Sequence, residues 1–163
     1  MIIDLRPQYL LKGYLAMSDQ VPQKTINIAV LTVSDTRTPS TDKSGQLLVE
    51  RLQTAGHSLA EHTIVKDDIY QIRAAVSQWI AATNVNAVLI TGGTGFTARD
   101  TTPDALAPLF DHVIDGFGEL FRHLSWQEIG TSTIQSRAIA GVANRTVIFA
   151  MPGSTGACMT AWD

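Results

Sequence analysis

Apolar residues along this chain gather into runs of two kinds. INIAVLTV (26–33), VNAVLI (85–90) and TVIFAM (146–151) are apolar at nearly every position and of strand length. Strands buried on both faces read this way. HSLAEHTIV (57–65) alternates poorly but ends apolar, and predicts a fourth strand. Between these runs the spacing becomes helical. Leu47, Leu48, Leu52 and Ala55 predict a helix over 45–55, capped by Asp42 or Ser44 and stopped by Gly56. Ile69, Ile72, Val76, Trp79 and Ile80 predict another over 69–82. Further on, the pattern predicts a helix over 103–111 bent at Pro108, with Thr102 as its cap and Pro103 at its first position. A helix over 117–126, a short helix over 132–139, a turn at 141–145 and a last helix entered through 152–156 complete the chain. Strands alternating with helices predict an α/β fold, a mainly parallel sheet covered by helices. Residues 1–22 show no such pattern; they are expected to be a flexible extension or a subunit contact, leaving 23–163 as the domain.

All four apolar strands end in polar turns: Ser34-Asp35, Lys66-Asp67-Asp68, Thr91 to Asp100, and Pro152 to Gly156. In a parallel sheet these ends share one edge, where α/β proteins bind ligands. Asp35, Asp67, Gly92 to Asp100, and Gly153-Ser154 are therefore expected to line one pocket. The turn Gly92-Gly93-Thr94-Gly95 carries three glycines in four positions. Such a turn bares backbone N–H groups that suit phosphate. Arg99 adds a planar donor for phosphate oxygens. Asp67 and Asp100 are candidates to hold Mg²⁺ while the amides hold phosphates, the layout that nucleotidyl or phosphoryl transfer requires. Plainer roles stand beside these. An acid at Asp67 or Asp68 suits a helix start, and Asp100 suits a turn-closing hydrogen bond.

Composition removes several function classes. The 163 residues suit one domain with a sizeable core. A formal net charge of −3 argues against binding nucleic acid through bulk charge. Cys158 is the single cysteine, which suits a reducing cytoplasm and allows no intrachain disulfide. No apolar run reaches membrane-spanning length, and the first twenty or so residues lack a secretory layout. Neither Gly-Lys-Ser/Thr nor Gly-x-Ser-x-Gly occurs, and His57, His62, His112 and His123 lack metal-ligand spacing. Gly93-x-Gly95-x-x-Ala98 loosely fits a dinucleotide fingerprint, but Arg99-Asp100 and Pro103 intrude and no strand ends in an acid about twenty residues on.

TGGTG, RDTTPDAL, DGFGE and MPGS, in this order, resemble the molybdopterin-binding domains of the MoaB/Mog family, as do AGHSLAEHTIVKDD and the run from GFGELFRHL to MPGST. The resemblance covers about 26–163. It implies a three-layer α/β/α sandwich with a mostly parallel central sheet, assembled as a homo-oligomer, a trimer or a hexamer. It implies molybdopterin as ligand and, in catalytic members, transfer of AMP from Mg-ATP to the pterin's phosphate. Two aspartates carry that activity in the family, and they match Asp67 and Asp100. The family's ligand-binding turns match Gly92, Gly93, Thr94 and Gly95, and Gly153-Ser154. Ser34-Asp35 and Ser44-Gly45 match pocket-lining positions. A noncatalytic pterin-binding or assembly protein of the same pathway is the alternative.

Overall fold

The computed structural model describes residues 24–163; the expectation for 1–22 lies outside them. Strand β1, Asn27–Val33, is buried at all but its first residue. Helix α1, Lys43–Thr54, follows, and of the two candidate caps it is Asp42 whose carboxylate accepts from the Gly45 amide at 2.9 Å. Strand β2, Ser58–Val65, is an edge strand and half exposed, which explains its weak alternation. Helix α2, Ile69–Ala81, is capped by Asp68, and strand β3, Ala87–Thr91, is fully buried. Helix α3, Thr102–Leu106, tightens into a 3₁₀ turn at Ala107–Leu109, where Pro108 was expected to bend it.

Beyond this point the structure corrects several expectations. Residue Thr101, not Thr102, precedes α3. The Thr102 hydroxyl instead donates to the Gly92 carbonyl at 2.9 Å, tying helix to glycine turn. Strand β4, His112–Val113, has too few residues to show a period. Helix α4, Asp115–Ile129, is longer than expected at both ends. The expected helix over 132–139 is a 3₁₀ segment, Gly130–Gln135, followed by strand β5, Ile139–Ala143. Gly141 lies inside β5, where a Cβ would sit 2.4 Å from the Phe110 ring. The turn itself is confined to Asn144 and Arg145, with φ of 44° and 72°, the left-handed pair that a two-residue hairpin needs. Strand β6, Thr146–Met151, and helix α5, Thr155–Trp162, end the chain.

The six strands run in the order β2-β1-β3-β6-β5-β4. β2, β1, β3 and β6 are parallel; β5 is antiparallel to both neighbours. Alternate residues of β1 face opposite layers. Ala29, Leu31 and Val33 pack with Ile72, Val76 and Trp79 of α2. Ile28 and Val30 pack with Leu48 and Leu52 of α1 and Cys158 of α5. Phe117 of α4 meets Phe149 of β6 edge-on, 5.1 Å between ring centres, placing α4 in the second layer. The fold is thus a three-layer α/β/α sandwich. Since β1 leads out to β2 and the chain returns past β1 to β3, strand order reverses between β1 and β3, and their carboxyl ends open a crevice. No helix among the described residues is long and apolar enough to cross a membrane.

One buried polar cluster locks α1 onto the sheet. Asp42, fully buried, accepts from the Thr32 hydroxyl at 2.6 Å and stands 3.0 Å from His62 Nε2. Burial opposes ionisation of this carboxyl, but the bonds from Thr32, Gly45 and His62 outweigh it and lower its pKa. Its stabilisation is therefore present above the ordinary carboxylate pKa and lost as pH falls through the lowered value. Asp42→Ala removes a helix cap and orphans a buried hydroxyl, and should cost about 2–4 kcal/mol near neutral pH. Urea titration at several pH values checks this; a loss that does not shrink in acid would contradict the assignment.

Candidate functional site

Ser34 leaves the end of β1, and Gly92-Gly93 leave the end of β3. The backbone at Gly92 has φ +105°, and a Cβ there would lie 2.2 Å from the Val33 carbonyl oxygen. Gly153, at the end of β6, is packed so closely that its Cβ would lie 3.2 Å from the Gly92 Cα. Gly92 needs glycine for close approach of backbone to backbone, and Gly153 is packed more tightly than an ordinary Cβ contact. The resulting cleft measures about 270 Å³ and is bordered by Ser34, Arg37, Ser44, Gly92, Gly93 and Gly153. A second, wider cleft of about 640 Å³ lies on the β2 side and shares Ser34 and Arg37 with the first.

Asp67 enters the same region from the end of β2. Its Oδ1 is 2.5 Å from where a Gly93 Cβ would be, and is buried without a hydrogen-bond partner. Asp68, not Asp67, caps α2, accepting from the Tyr70 and Gln71 amides at 3.0 and 2.9 Å. The helix-start role is thereby filled, and Asp67 is left for something else. Burial raises its pKa, and the carboxylates of Asp100 and Asp35 push the same way, against the Thr101 amide and Arg99. Asp100 is differently placed. Its Oδ2 accepts from the Thr97 amide at 2.8 Å and the Thr97 hydroxyl at 2.6 Å, so it does close a turn. Burial opposes its ionisation, yet these bonds, with the Gly95 amide and the charge of Arg137, bring its pKa down. Asp100 is nevertheless near enough to act on Asp67 through charge.

The remaining expected residues divide into groups. Asp35 accepts from the Asp67 amide at 3.3 Å and is gripped by the Nε–Nη2 edge of Arg99, at 2.6 to 3.1 Å. That edge of the exposed Arg99 fork is thus taken by Asp35 rather than open to solvent anions. Gly45 sits behind the crevice, where a Cβ would strike Asp42, Thr32 and His62. Thr94 is buried. Ser154 caps α5 through the Ala157 amide at 3.1 Å and borders a separate small cleft against α4. Ser34, Asp35, Ser44, Asp67, Gly92, Gly93, Arg99 and Gly153 are brought together; Ser154 is not among them.

Sequence reasoning missed Arg137. Its amide donates to the Thr94 carbonyl at 2.9 Å and its Nε to the Gly95 carbonyl at 2.8 Å. One terminal nitrogen reaches the Asp100 carbonyl and the other the Asp104 carboxylate at 3.0 Å. A single side chain therefore fixes the far wall of the glycine loop. Nothing local marks it, since it lies in a stretch whose pattern suggested helix. Among the described residues no group of three or more His, Cys, Asp or Glu side chains is arranged to hold a metal ion. Mg²⁺, however, is commonly held by one or two carboxylates together with substrate phosphates.

A carboxyl whose folded pKa is raised favours the folded state in acid, and that contribution is lost as pH rises through the raised value. Asp67→Asn should therefore be more stable than the parent near neutral pH, by about 0.5–2 kcal/mol, with the difference vanishing below the ordinary carboxylate pKa. Paired thermal melts from pH 3 to 8 measure this; a variant less stable at neutral pH would show that Asp67 is a structural residue.

Comparison with known proteins bears on this arrangement. A family model described as a probable molybdopterin binding domain matches residues 29–163. Molybdenum cofactor biosynthesis protein B of Escherichia coli (strain K12) is 60% identical over 136 residues, covering 83% of this chain and 80% of that protein. The protein of the same name from Bacillus subtilis (strain 168) is 47% identical over 139 residues, covering 85% and 82%. A crystal structure of a molybdenum cofactor biosynthesis protein B superposes with a TM-score of 0.85 at 49% identity, covering 88% of this chain and 89% of that one. The tungsten cofactor synthesizing protein MoaB from Pyrococcus furiosus does so at 0.77 and 37%, covering 87% and 90%. The chain belongs to the MoaB/Mog family of molybdopterin-binding domains.

Proposed function

We propose that this protein acts in molybdenum cofactor biosynthesis, binds molybdopterin at the β1–β3 crevice, and transfers AMP from Mg-ATP to the phosphate of the pterin. The observation that carries this reading is the unpartnered, buried Oδ1 of Asp67 against Gly93. A carboxylate kept in that state costs stability, and such groups cluster where chemistry uses them. The family membership and the names of the relatives supply the pathway and the ligand class.

In this reading Asp67 and Asp100 hold Mg²⁺, and both present hard carboxylate oxygens of the type it takes. The ion's chemistry is to offset negative charge on the nucleotide phosphates. The amides of Gly93 and Thr94 bind phosphate oxygens, since the Gly92 amide is held by the Met151 carbonyl at 3.0 Å and the Gly95 amide by Asp100, and the loop's fixation by Arg137 keeps those donors in place before substrate arrives. Ser34, Ser44 and Gly153 border the volume beside the turn. An oxygen of the pterin's phosphate forms a bond to the α-phosphorus of ATP; the bond from that phosphorus to the bridging oxygen breaks, and pyrophosphate departs with the electron pair.

The Arg99–Asp35 pair favours the alternative, a pterin-binding protein without transfer, because a cation already neutralised in the molecule is less able to meet phosphate charge. Both readings are compatible with a homo-oligomer, trimer or hexamer. Trp126, Ile129, Ile134 and Met159, on α4, the following turn and α5, are 41–63% exposed, which supports such contacts. Sedimentation equilibrium should then give three or six times 17.6 kDa; a monomer at micromolar concentration would remove this part.

Asp100→Asn keeps an acceptor for Thr97 while removing the charge. It should lower pyrophosphate release from molybdopterin and Mg-ATP by about 10²–10³-fold or more, with pterin affinity within about threefold of the parent. Transfer by the parent should fall as pH drops through the raised pKa of Asp67, since the ionised form is the one that holds a cation. Pterin binding without any pyrophosphate release would establish the noncatalytic reading, and equal loss of binding and transfer in Asp100→Asn would contradict its assignment.

A further inference from the structure

The wider cleft on the β2 side has no task in the mechanism above. It holds about 640 Å³, and Arg37, His62 and Lys66 all border it. Its charge is unbalanced. Asp35, the one carboxylate on its border, is occupied by Arg99 through both oxygens. Arg37 uses one nitrogen on the Thr41 carbonyl at 3.1 Å, and among the described residues neither it nor Lys66 forms an ion pair. His62 is oriented from behind, its Nε2 3.0 Å from a carboxylate oxygen of the fully buried Asp42. The cleft therefore gathers cationic and imidazole side chains, while the neighbouring glycine turn offers neutral amides. Ser34 and Arg37 border both clefts, so the two adjoin.

We propose that the β2-side cleft is a polyphosphate subsite, which takes the β- and γ-phosphates of the nucleotide and hence the pyrophosphate product. The inference rests on the adenylyl-transfer reading and deepens it. Pyrophosphate leaves that reaction carrying the electron pair of the broken P–O bond, and a polyanion of this kind is stabilised by charge-assisted hydrogen bonds more than by neutral amides. Arg37 and Lys66 supply them, and His62 lies at the cleft wall as a reporter of occupancy.

The test uses the full chain with pyrophosphate alone, by calorimetric titration at fixed ionic strength and by NMR of the His62 ring. Saturable binding of one pyrophosphate per chain is expected, with the His62 resonances shifting. ATP should displace it and AMP should not. An Arg37→Ala/Lys66→Ala double variant of unchanged melting temperature should bind at least about tenfold more weakly. Should that variant not fold, Lys66→Gln alone, a change of one exposed side chain, should weaken binding about threefold. Absence of saturable binding, unmoved His62 signals, equal displacement by AMP, or undiminished affinity in the variants would each overturn the subsite. Because neither pterin nor turnover is involved, the two readings separate. Pyrophosphate bound here without AMP transfer keeps the subsite and removes the transferase; AMP transfer with affinity untouched in the variants removes the subsite alone.

Discussion

Everything at the functional end of this molecule depends on how closely the chain leaving β3 passes the end of β1. The Val33 carbonyl oxygen lies where a Gly92 side chain would begin, and Gly153 presses against the same backbone from β6. Three adjacent strand ends are thus in near contact through main chain alone. That contact brings the Gly92-Gly93 turn beside Ser34 and lets Asp67, arriving from β2, rest against Gly93. Any side chain at Gly92 would have to displace the Val33 carbonyl, and with it the strand that holds both hydrophobic layers together.

Adjacent aspartates with opposite duties show how the site is built. Asp68 does what the local sequence asks of it, meeting two orphan amides at the start of α2. Asp67 is turned into the crevice, where burial works against its charge. Asp100 combines both duties, since one oxygen closes a turn while its charge still acts on Asp67. The site is therefore stabilised around its least stable member. Arg137 secures the loop from one side, and the Arg99–Asp35 pair joins it to the end of β1 on the other.

Asp42 links this chemistry to the fold. It caps α1, satisfies Thr32 near the carboxyl end of β1 and holds His62 at the edge of the wide cleft. The packing around it leaves no room for a Cβ at Gly45. Gly45 thus serves the site from behind, by letting the helix, the strand and the imidazole meet at one carboxylate.

Much of the fold was legible in the order of residues because it rests on local regularities. Runs apolar on both faces gave β1, β3 and β6, helical spacing gave α1 and α2, and the polar turns after the strands located the functional edge. The glycine turn and the two catalytic candidates could be named for the same reason, since their chemistry is written in adjacent residues. The antiparallel strand β5 was not legible, because Gly141 is explained by the distant Phe110 ring and not by its neighbours. Arg137 was hidden in the same way, its partners lying 33 to 42 positions earlier in the chain. Which aspartate caps a helix and which enters the crevice, and whether Arg99 meets solvent or Asp35, were settled by the tertiary structure alone. Those outcomes depend on burial and on contacts between segments far apart in the chain, which no local pattern encodes.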